Sequence, residues 1–312
     1  MTDELTRAVE VALATGRPLL LRGEPGSGKS SLAPFFAQRE GWRFCKHVVT
    51  ARTQAQDLLW NFDSVRRLAD ARSRQVDGEP WQDFRYVEPG PLWWAFAPGS
   101  ARRRGSTLSE LMPPELYAAD PRWKENETRR QDRAVLLIDE IDKADPDLPN
   151  SLLVPLGTGE FQVAETRRTV AKEPASPESG DLSSFVRPGF AHHLVVVTTN
   201  EERELPQAFL RRCVVTWLSE PSVTRLVEIA LAHQEKRSGG VGADDEVLAT
   251  ALANALDEAR ADAKSKARRP PSTAEFLDAF RACRELEIRP HSEGWHHVEQ
   301  LTLRKTRPDD AR

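Results

Sequence analysis

Residues 23–30 read Gly-Glu-Pro-Gly-Ser-Gly-Lys-Ser and follow a short apolar run, Leu19-Leu20-Leu21. This is the spacing G-x-x-x-x-G-K-[ST] of a phosphate-binding loop. Glycines allow the backbone to turn its N–H groups inward around a polyphosphate, because they adopt φ angles that other residues avoid. In such a loop Lys29 reaches the β- and γ-phosphates and Ser30 offers a hydroxyl to Mg²⁺. The alternative is a glycine-rich turn between a strand and a helix. The predicted binding residues are Gly23, Glu24, Pro25, Gly26, Ser27, Gly28, Lys29, Ser30 and Ser31.

Composition restricts the class of protein. The chain has 312 residues, a length that is enough for one large or two ordinary domains. Of these residues 39% are hydrophobic and 29% are charged, which is typical of a globular protein. A net charge of −4 gives no general support for a nucleic-acid or anionic-membrane partner. Basic clusters at 102–104 and 264–269 fit either solvated loops or contacts to DNA, RNA or an acidic partner. Three separated cysteines, no secretory leader and no long apolar run predict a cytoplasmic protein.

Short runs rich in Val or Leu alternate with helical patterns along the chain. Strands are expected at 18–22, 44–50, 134–139, 194–199 and 214–218. Runs that do not alternate with polar residues are typical of a sheet covered on both faces, and helical crossovers make such a sheet mostly parallel. The fold class is therefore predicted as α/β with a five-stranded, mostly parallel sheet. Pro34 lies inside the helix that the glycine loop should open, and a kink or irregular turn is expected there.

The separation between Lys29 and Asp139 is about twice what a β-α-β-α-β route needs at roughly 30 residues per unit. An insert is therefore expected within 56–130, between the second and third strands. Because an aromatic-rich segment is unlike a disordered one, the insert should be ordered. Trp93-Trp94 either fills a core or contacts another protein or subunit. The insert contains five of the eight tryptophans: Trp60, Trp81, Trp93, Trp94 and Trp123.

After Glu220-Pro221 the pattern becomes helical. Ser222 can cap a first helix, a second is expected near 244–262, and Ser272 with Glu275 forms a capping box for a third. The predicted domains are a nucleotide-binding α/β domain at 1–219, a helical lid at 220–290 and a tail at 291–312. In the tail, docking points are expected at Trp295, Leu301 and Leu303.

Polar residues follow the apolar runs where the parallel strands should end. Asp139 can hold Mg²⁺ across from Ser30, and Glu140 can polarise the water that attacks the γ-phosphate. Asn200, after the run 194–199, would orient that water. The alternatives without a catalytic role are that Asp139 and Glu140 are solvated acids at a strand end and that Asn200 is a turn-forming asparagine.

Arg211 and Arg212 follow a short predicted helix. An arginine at such a point can stabilise transition-state charge in a neighbouring subunit, because its guanidinium stays charged and grips phosphate with a fork of donors. The alternative is a pair of surface arginines.

These elements, in this order, resemble the AAA+ ATPases: Walker A at 23–30, Walker B at 135–140, sensor one at Asn200 and an arginine finger near Arg212. Four further segments, at 53–60, 88–92, 137–144 and 205–210, resemble the MoxR branch of that superfamily. The resemblance covers residues 5–290.

The resemblance implies a ring, usually a hexamer, with ATP and Mg²⁺ bound at subunit boundaries. It also implies an insert in the second helix, a helical lid and a chaperone-like role beside proteins with von Willebrand A domains. The resemblance implies that Arg212 is the arginine finger, with Arg211 as the alternative. One departure lies at the position of the sensor-two arginine, which reads Pro-Ser-Thr-Ala at 271–274. Arg268 or Arg269 could substitute, and lid coupling to ATP is in question.

Three function classes follow. The leading one is an ATP-hydrolysing ring that remodels a client or effector protein. The second is an ATP-gated assembly switch with slow turnover in a defence or signalling system. The third, a DNA or RNA motor, is disfavoured by the acidic net charge. A GTPase is further disfavoured, because the closest match to an N-K-x-D guanine reader lies at 142–145, beside Walker B.

Overall fold

A computed structural model of the chain describes residues 2–72, 82–174, 191–266 and 268–305. The contacts among residues divide the chain into two compact units. The first comprises Met1–Arg22 and Lys29–Trp217, and the second comprises Gly23–Gly28 and Leu218–Arg312. Each unit contains a hydrophobic core of its own.

The first unit is built on a parallel sheet with the strand order β2-β5-β8-β1-β9. Every neighbouring pair in this sheet is parallel, which confirms the predicted fold class. Two small antiparallel ribbons, β3-β4 and β6-β7, accompany it. The strands of the described residues are β1 Leu19–Arg22, β2 Trp42–Val48, β3 Trp60–Phe62, β4 Val87–Pro89, β5 Arg130–Asp139, β6 Glu160–Val163, β7 Arg168–Ala171, β8 His193–Thr198 and β9 Val214–Trp217.

Buried aliphatic runs explain the central strands. Leu19, Leu20 and Leu21 in β1 are fully buried, and β5 is buried from Ala134 to Asp139. Continuous burial of this kind is typical of a parallel sheet with both faces covered. Since all five strands are parallel, their carboxyl ends lie at one edge of the sheet, where open α/β sheets bind ligands.

The helices of the described residues are α1 Asp3–Thr15, α2 Lys29–Glu40, α3 Ala55–Leu59, α4 Ser64–Arg72, α5 Pro91–Phe96, α6 Pro98–Arg102, α7 Trp123–Asn126, α8 Asp147–Ser151, α9 Leu153–Thr158, α10 Gln207–Leu210, α11 Val223–Ser238, α12 Ala243–Ser265, α13 Thr273–Glu285 and α14 Glu293–Glu299. The irregular turn expected at Pro34 is not found, because α2 runs through it without interruption. Among the described helices, none combines the length and the apolar character that crossing a membrane requires.

The tryptophans of the insert are mostly structural. Trp93 and Trp94 in α5 are 0% and 5% exposed, which confirms that they fill the core. Trp60 of β3 stacks on Phe161 of β6, with ring centroids 5.9 Å apart and planes 1° from parallel. Its Nε1 also donates a 2.8 Å hydrogen bond to Oε2 of Glu165, in the turn between β6 and β7. One indole of β3 therefore contacts both the β6 strand and the turn that follows it. Trp81 lies outside the described residues, and Trp123 is 52% exposed.

The second unit is helical beyond residue 222, and its three main helices are those predicted. Ser222 caps α11 by accepting a 3.3 Å bond from the Arg225 amide. At α13 the capping box is complete: Oγ of Ser272 accepts from the Glu275 amide at 3.4 Å, and the Ser272 amide donates to Oε2 of Glu275 at 2.6 Å. Each cap satisfies an amide that the first turn of a helix leaves without an intrahelical partner.

The tail only partly follows the prediction. Trp295 and Leu303 are buried in the core of the second unit. Leu301 is 77% exposed, so its expected docking role is wrong. It belongs to a short π-helical stretch, Gln300–Arg304, in which the buried position falls on Leu303 instead.

Candidate functional site

A carboxylate with three polar neighbours lies at the carboxyl end of β5. Oδ1 of Asp139 accepts hydrogen bonds from Oγ of Ser30 at 2.6 Å and from Oγ1 of Thr198 at 2.8 Å. Its Oδ2 lies 3.1 Å from Nζ of Lys46, on the neighbouring strand β2. Strand order explains the meeting, because β5 lies between β2 and β8, and Ser30 opens α2.

These neighbours determine the charge of Asp139. Burial alone would raise the pKa of its carboxyl group, but the hydrogen bonds from Ser30, Thr198 and Lys46 outweigh burial and lower the pKa below its ordinary value. Asp139 is therefore ionised at neutral pH although only 6% of the residue is exposed.

Glu140 has an unusual backbone. Its φ and ψ are 62° and 50°, in the left-handed region that costs a residue with a side chain about 1–2 kcal/mol. The amide of Glu140 donates a 2.9 Å bond to Oγ1 of Thr198, the same hydroxyl that binds Asp139. Oε2 of Glu140 accepts a 2.7 Å bond from Nζ of Lys143, and this bond raises the pKa of Lys143. The Glu140 carboxylate is thus held by a cation three residues away.

The loop after β8 is fixed by a buried carboxylate. Oδ2 of Asp142 accepts bonds from the amides of Asn200 at 3.2 Å and Glu202 at 2.9 Å. Asp142 is only 3% exposed. Since Asp142 follows Glu140 closely and Asn200 follows Thr198, the two strand-end loops bind each other twice, once through Thr198 and once through Asp142.

The glycine loop has the backbone that its sequence predicts. Gly23, Gly26 and Gly28 have φ angles of 142°, 78° and 90°, which side-chain-bearing residues rarely adopt. A methyl group on Gly26 would lie 2.2 Å from Cβ of Ser272, within the same unit. Gly26 is therefore required both for its dihedral angles and for the close approach of Ser272.

The other residues of the motif are placed as follows. The Ser27 amide donates a 3.2 Å bond to the carbonyl of Glu24 and closes the turn. Lys29, the first residue of α2, is only 5% exposed, Pro25 is half-buried and Ser31 is exposed.

Arg211 and Arg212 lie elsewhere in the first unit. Both are exposed, and NH1 of Arg212 donates a 3.1 Å bond to the carbonyl of Ala208 in α10. They precede the first residue of β9, so they are at the amino edge of the parallel sheet, whereas Asp139, Glu140 and Asn200 are at the carboxyl edge. The structure does not bring these arginines to the acidic residues of the same chain.

The sequence reasoning missed four residues of this edge: Thr198, Lys46, Asp142 and Lys143. A signal existed for Thr198, since it occupies the last position of a predicted strand next to Asn200. Lys46 lies within the predicted strand 44–50, but its pairing with Asp139 depends on which strands are neighbours.

The oxygen atoms present suit a small hard cation. Mg²⁺ prefers one or two protein oxygens and completes its shell with water and phosphate. Ser30 and Asp139 present a hydroxyl and an ionised carboxylate 2.6 Å apart. Among the described residues there is no group of three or more His, Cys, Asp or Glu side chains that could hold a metal without such additional ligands.

Comparisons with solved structures give distant similarities. The ADP complex of NtrX from Brucella abortus is 13% identical with a TM-score of 0.48, over 98% of this chain and 55% of that one. Its ATP complex is 13% identical with a TM-score of 0.46, over 93% and 52%. A candidate ATPase from Cytophaga hutchinsonii is 13% identical with a TM-score of 0.43, over 96% and 80%. The chain spans about half the length of the NtrX structures that it matches.

Comparison with protein families is more informative. A search of curated proteins finds no significant match. The family model described as "AAA domain (dynein-related subfamily)" matches residues 18–213, well over half of the chain. Because this match covers well over half of the chain, and includes the glycine loop together with Asp139, Glu140 and Asn200, the chain belongs to this family of AAA proteins.

Proposed function

We propose that this AAA protein is a MoxR-type ATPase and remodelling protein that hydrolyses Mg²⁺-ATP between the subunits of a ring. The observation that supports it most is the cluster around Asp139, in which Ser30, Thr198 and Lys46 hold an ionised carboxylate beside Glu140. A strand that simply ended in solvated acids would not bury Asp139 or hold Glu140 in a left-handed conformation.

The proposed roles follow from chemistry and position. The amides of residues 23–28 and the ammonium group of Lys29 bind the phosphates. Glu140 accepts a proton from the attacking water as its oxygen bonds to the γ-phosphorus and the bond to the β–γ bridging oxygen breaks, which leaves ADP and phosphate. Asn200 orients that water. Ser30 and Asp139 would hold Mg²⁺, which when bound neutralises charge on the phosphates.

Arg212 is proposed to act on the nucleotide of the next subunit, with Arg211 as the reserve. Its exposure and its place at the amino edge of the sheet support this, since they leave Arg212 away from the acidic cluster of its own chain and accessible to another copy. A head-to-tail contact of this kind generates a ring when its rotation closes. A hexamer is proposed.

The partner is proposed as a client or effector protein, with a von Willebrand A domain as the candidate. The four MoxR-like segments support this choice, as does the presence of an insert with exposed apolar residues, Val65 and Leu68 of α4. The proposed division into an α/β domain at 1–219, a lid at 220–290 and a tail at 291–312 belongs to the same hypothesis.

A reducing compartment such as the cytoplasm is proposed for the chain. Cys45, Cys213 and Cys283 are free and buried. Burial raises the pKa of Cys45 and Cys213 to about 12 and that of Cys283 to about 11. Buried thiols held as neutral groups suit packing and not disulfide chemistry.

The test of hydrolysis compares Glu140→Gln with Glu204→Gln, an exposed glutamate of the same edge. Glu140→Gln should lower kcat at least about 100-fold and still bind ATP, because a general base contributes typically 10²–10⁴-fold. Glu204→Gln should match the wild type. Equal turnover in Glu140→Gln and wild type would refute the role of Glu140.

Mixing two inactive variants tests the ring. Glu140→Gln retains the arginine and Arg212→Ala retains the acidic residues. An interface is therefore complete when the Arg212→Ala subunit binds the nucleotide and the Glu140→Gln subunit supplies the arginine. At equal mixing about a quarter of the interfaces of a random ring are complete, and activity should recover to that extent. Mixtures that stay inactive would show that Arg212 does not act in trans. Mass photometry with ATP should give a species at six times the 35.0 kDa of one chain.

The second candidate, a slow ATP-gated switch, is favoured by one observation. Lys143 holds the carboxylate of Glu140 at 2.7 Å and thereby restrains the proposed base. On this hypothesis Lys143→Met should raise kcat several-fold. On the leading hypothesis, in which ATP binding already frees Glu140, kcat should change less than about twofold.

A further inference from the structure

Trp217 is the last residue of β9, and 57% of it is exposed. Trp123 is similarly exposed, so it is the position of Trp217, and not its exposure alone, that points to a binding role. In the sheet, Trp217 lies directly beside Arg22, the last residue of β1. The next residue after Arg22 is Gly23, the first of the glycine loop. An exposed indole therefore lies one strand away from the point where the proposed phosphate site begins.

The indole is held in place by charged neighbours. The guanidinium carbon of Arg22 lies 5.2 Å from the centre of the Trp217 ring, within the range of a cation–π contact. Arg22 itself forms an ion pair with Glu201, in the loop that contains Asn200. The chain Glu201–Arg22–Trp217 thus fixes the ring at the carboxyl edge of the sheet while most of it stays accessible.

The order of the strands indicates what this ring faces. Asp139 and Glu140 follow β5, Asn200 follows β8, the glycine loop follows β1 and Trp217 ends β9. These four strands are neighbours in that order, so the edge from β5 to β9 spans three strand spacings, about 14 Å. That distance is comparable with an extended nucleoside triphosphate. If the γ-phosphate lies by β5 and β8 and the other phosphates over the loop after β1, the base lies by β9.

We propose that Trp217 stacks against the purine base of the bound nucleotide. This inference rests on the proposed function, because it assumes that ATP occupies the loop. Stacking needs only a π-face, so Trp217 contributes affinity for the base and little discrimination between adenine and guanine. Arg22 is a positioning residue that holds the ring.

The experiment measures Mg²⁺-ATP and tripolyphosphate binding by calorimetry for the wild type and for Trp217→Ala, Trp217→Phe and Trp123→Ala. Trp123, in α7, is the matched control because it is similarly exposed, at 52%. Trp217→Ala should weaken ATP binding about tenfold, within the range for loss of one stacked base. Trp217→Phe should lose less than threefold, and Trp123→Ala should bind like the wild type. Tripolyphosphate, which has no base, should bind all four proteins equally.

The outcomes separate the two hypotheses. If the wild type binds ATP and Trp217→Ala binds it equally well, the stacking inference is wrong and the proposed function stands. If Trp217→Ala weakens ATP and tripolyphosphate to the same degree, the residue acts on the fold of the loop and the inference is again wrong. If the wild type binds neither ligand, the proposed function fails and the inference with it. Far-ultraviolet circular dichroism checks that each variant is folded. If the alanine variant is not folded, Trp217→Leu replaces it, because leucine keeps an apolar side chain without a π-face and should show the same loss of ATP binding with unchanged tripolyphosphate binding.

Discussion

Replacing Thr198 with valine would remove one hydroxyl and keep the volume of a buried strand residue. That hydroxyl donates to Oδ1 of Asp139 at 2.8 Å and accepts from the amide of Glu140 at 2.9 Å. Thr198 is 1% exposed, so water cannot readily replace it. An unsatisfied buried group costs about 1–3 kcal/mol, and a loss of about 2 kcal/mol in the free energy of unfolding is expected.

The catalytic effect should exceed the effect on binding. Without Thr198, the Glu140 amide loses the hydroxyl that accepts its hydrogen bond, and the preference of Glu140, about 1–2 kcal/mol, to leave its left-handed backbone is opposed by fewer contacts. A misplacement of about 1 Å can cost about 10²-fold in rate. We therefore expect kcat for Thr198→Val to fall about 100-fold and KM for ATP to change less than about threefold.

Phosphate release measures kcat and KM, and urea unfolding measures stability. Thr198→Ser restores the hydroxyl and should recover most of kcat. Thr216→Val is the matched control, since Thr216 is also a buried threonine, and it lies in β9, which is not a neighbour of β5 in the sheet. The reasoning is refuted if Thr198→Val keeps wild-type kcat, or if Thr198→Ser is as slow as Thr198→Val.

Three further predictions concern stability measured by urea unfolding. Gly26→Ala should lower the free energy of unfolding by about 2–5 kcal/mol, because the new methyl group would clash with Ser272 at a residue that already has a positive φ. Gly16 has a similar φ but no atom within 4 Å of the added methyl group, so Gly16→Ala should lose only about 1–2 kcal/mol. Equal losses in the two variants would contradict the steric argument. Burial, aided by the charges of Lys172 and Arg43, lowers the pKa of His193 to about 3. Below about pH 6.5 the unfolded chain therefore binds a proton at His193 that the folded chain does not bind. The free energy of unfolding consequently decreases as the pH falls. The wild type should lose about 1–2 kcal/mol more than His193→Gln between pH 7.5 and 5.0, and identical profiles would exclude His193 as the cause. Trp93→Ala should cost about 3–5 kcal/mol, because the residue is fully buried; a cost below about 1 kcal/mol would mean that the site collapses.

The sheet was predictable because its signals are local. Five apolar runs and the glycine spacing are visible without knowledge of distant contacts, and the capping box at Ser272 depends on residues only three apart. The Pro34 expectation was partly wrong for a related reason. Local propensity penalises proline inside a helix, but tertiary packing of Leu32, Ala33 and Phe36, all buried, keeps α2 continuous.

The detailed site was less predictable because its bonds join residues far apart in sequence. Lys46 reaches Asp139 only because β2 and β5 are neighbours, and no period in the sequence gives that order. The left-handed conformation at position 140 was not predictable, because the residue there is a glutamate and not the glycine or asparagine that usually indicates this conformation. Leu301 and Leu303 were expected together, and only Leu303 is buried in the short π-helical stretch that contains both.

The indole of Trp60 has a mechanical consequence. Residues 140–159 lead from the acidic end of β5 through α8 and α9 into β6, and β6 is joined to β3 by the stacked rings of Phe161 and Trp60 and by the Glu165 hydrogen bond. A shift of Glu140 during turnover would therefore have a route along one continuous backbone to β6, from which Trp60 would pass it to the second ribbon. Because Trp60 contacts both ribbons, they would move together and not as two independent flaps.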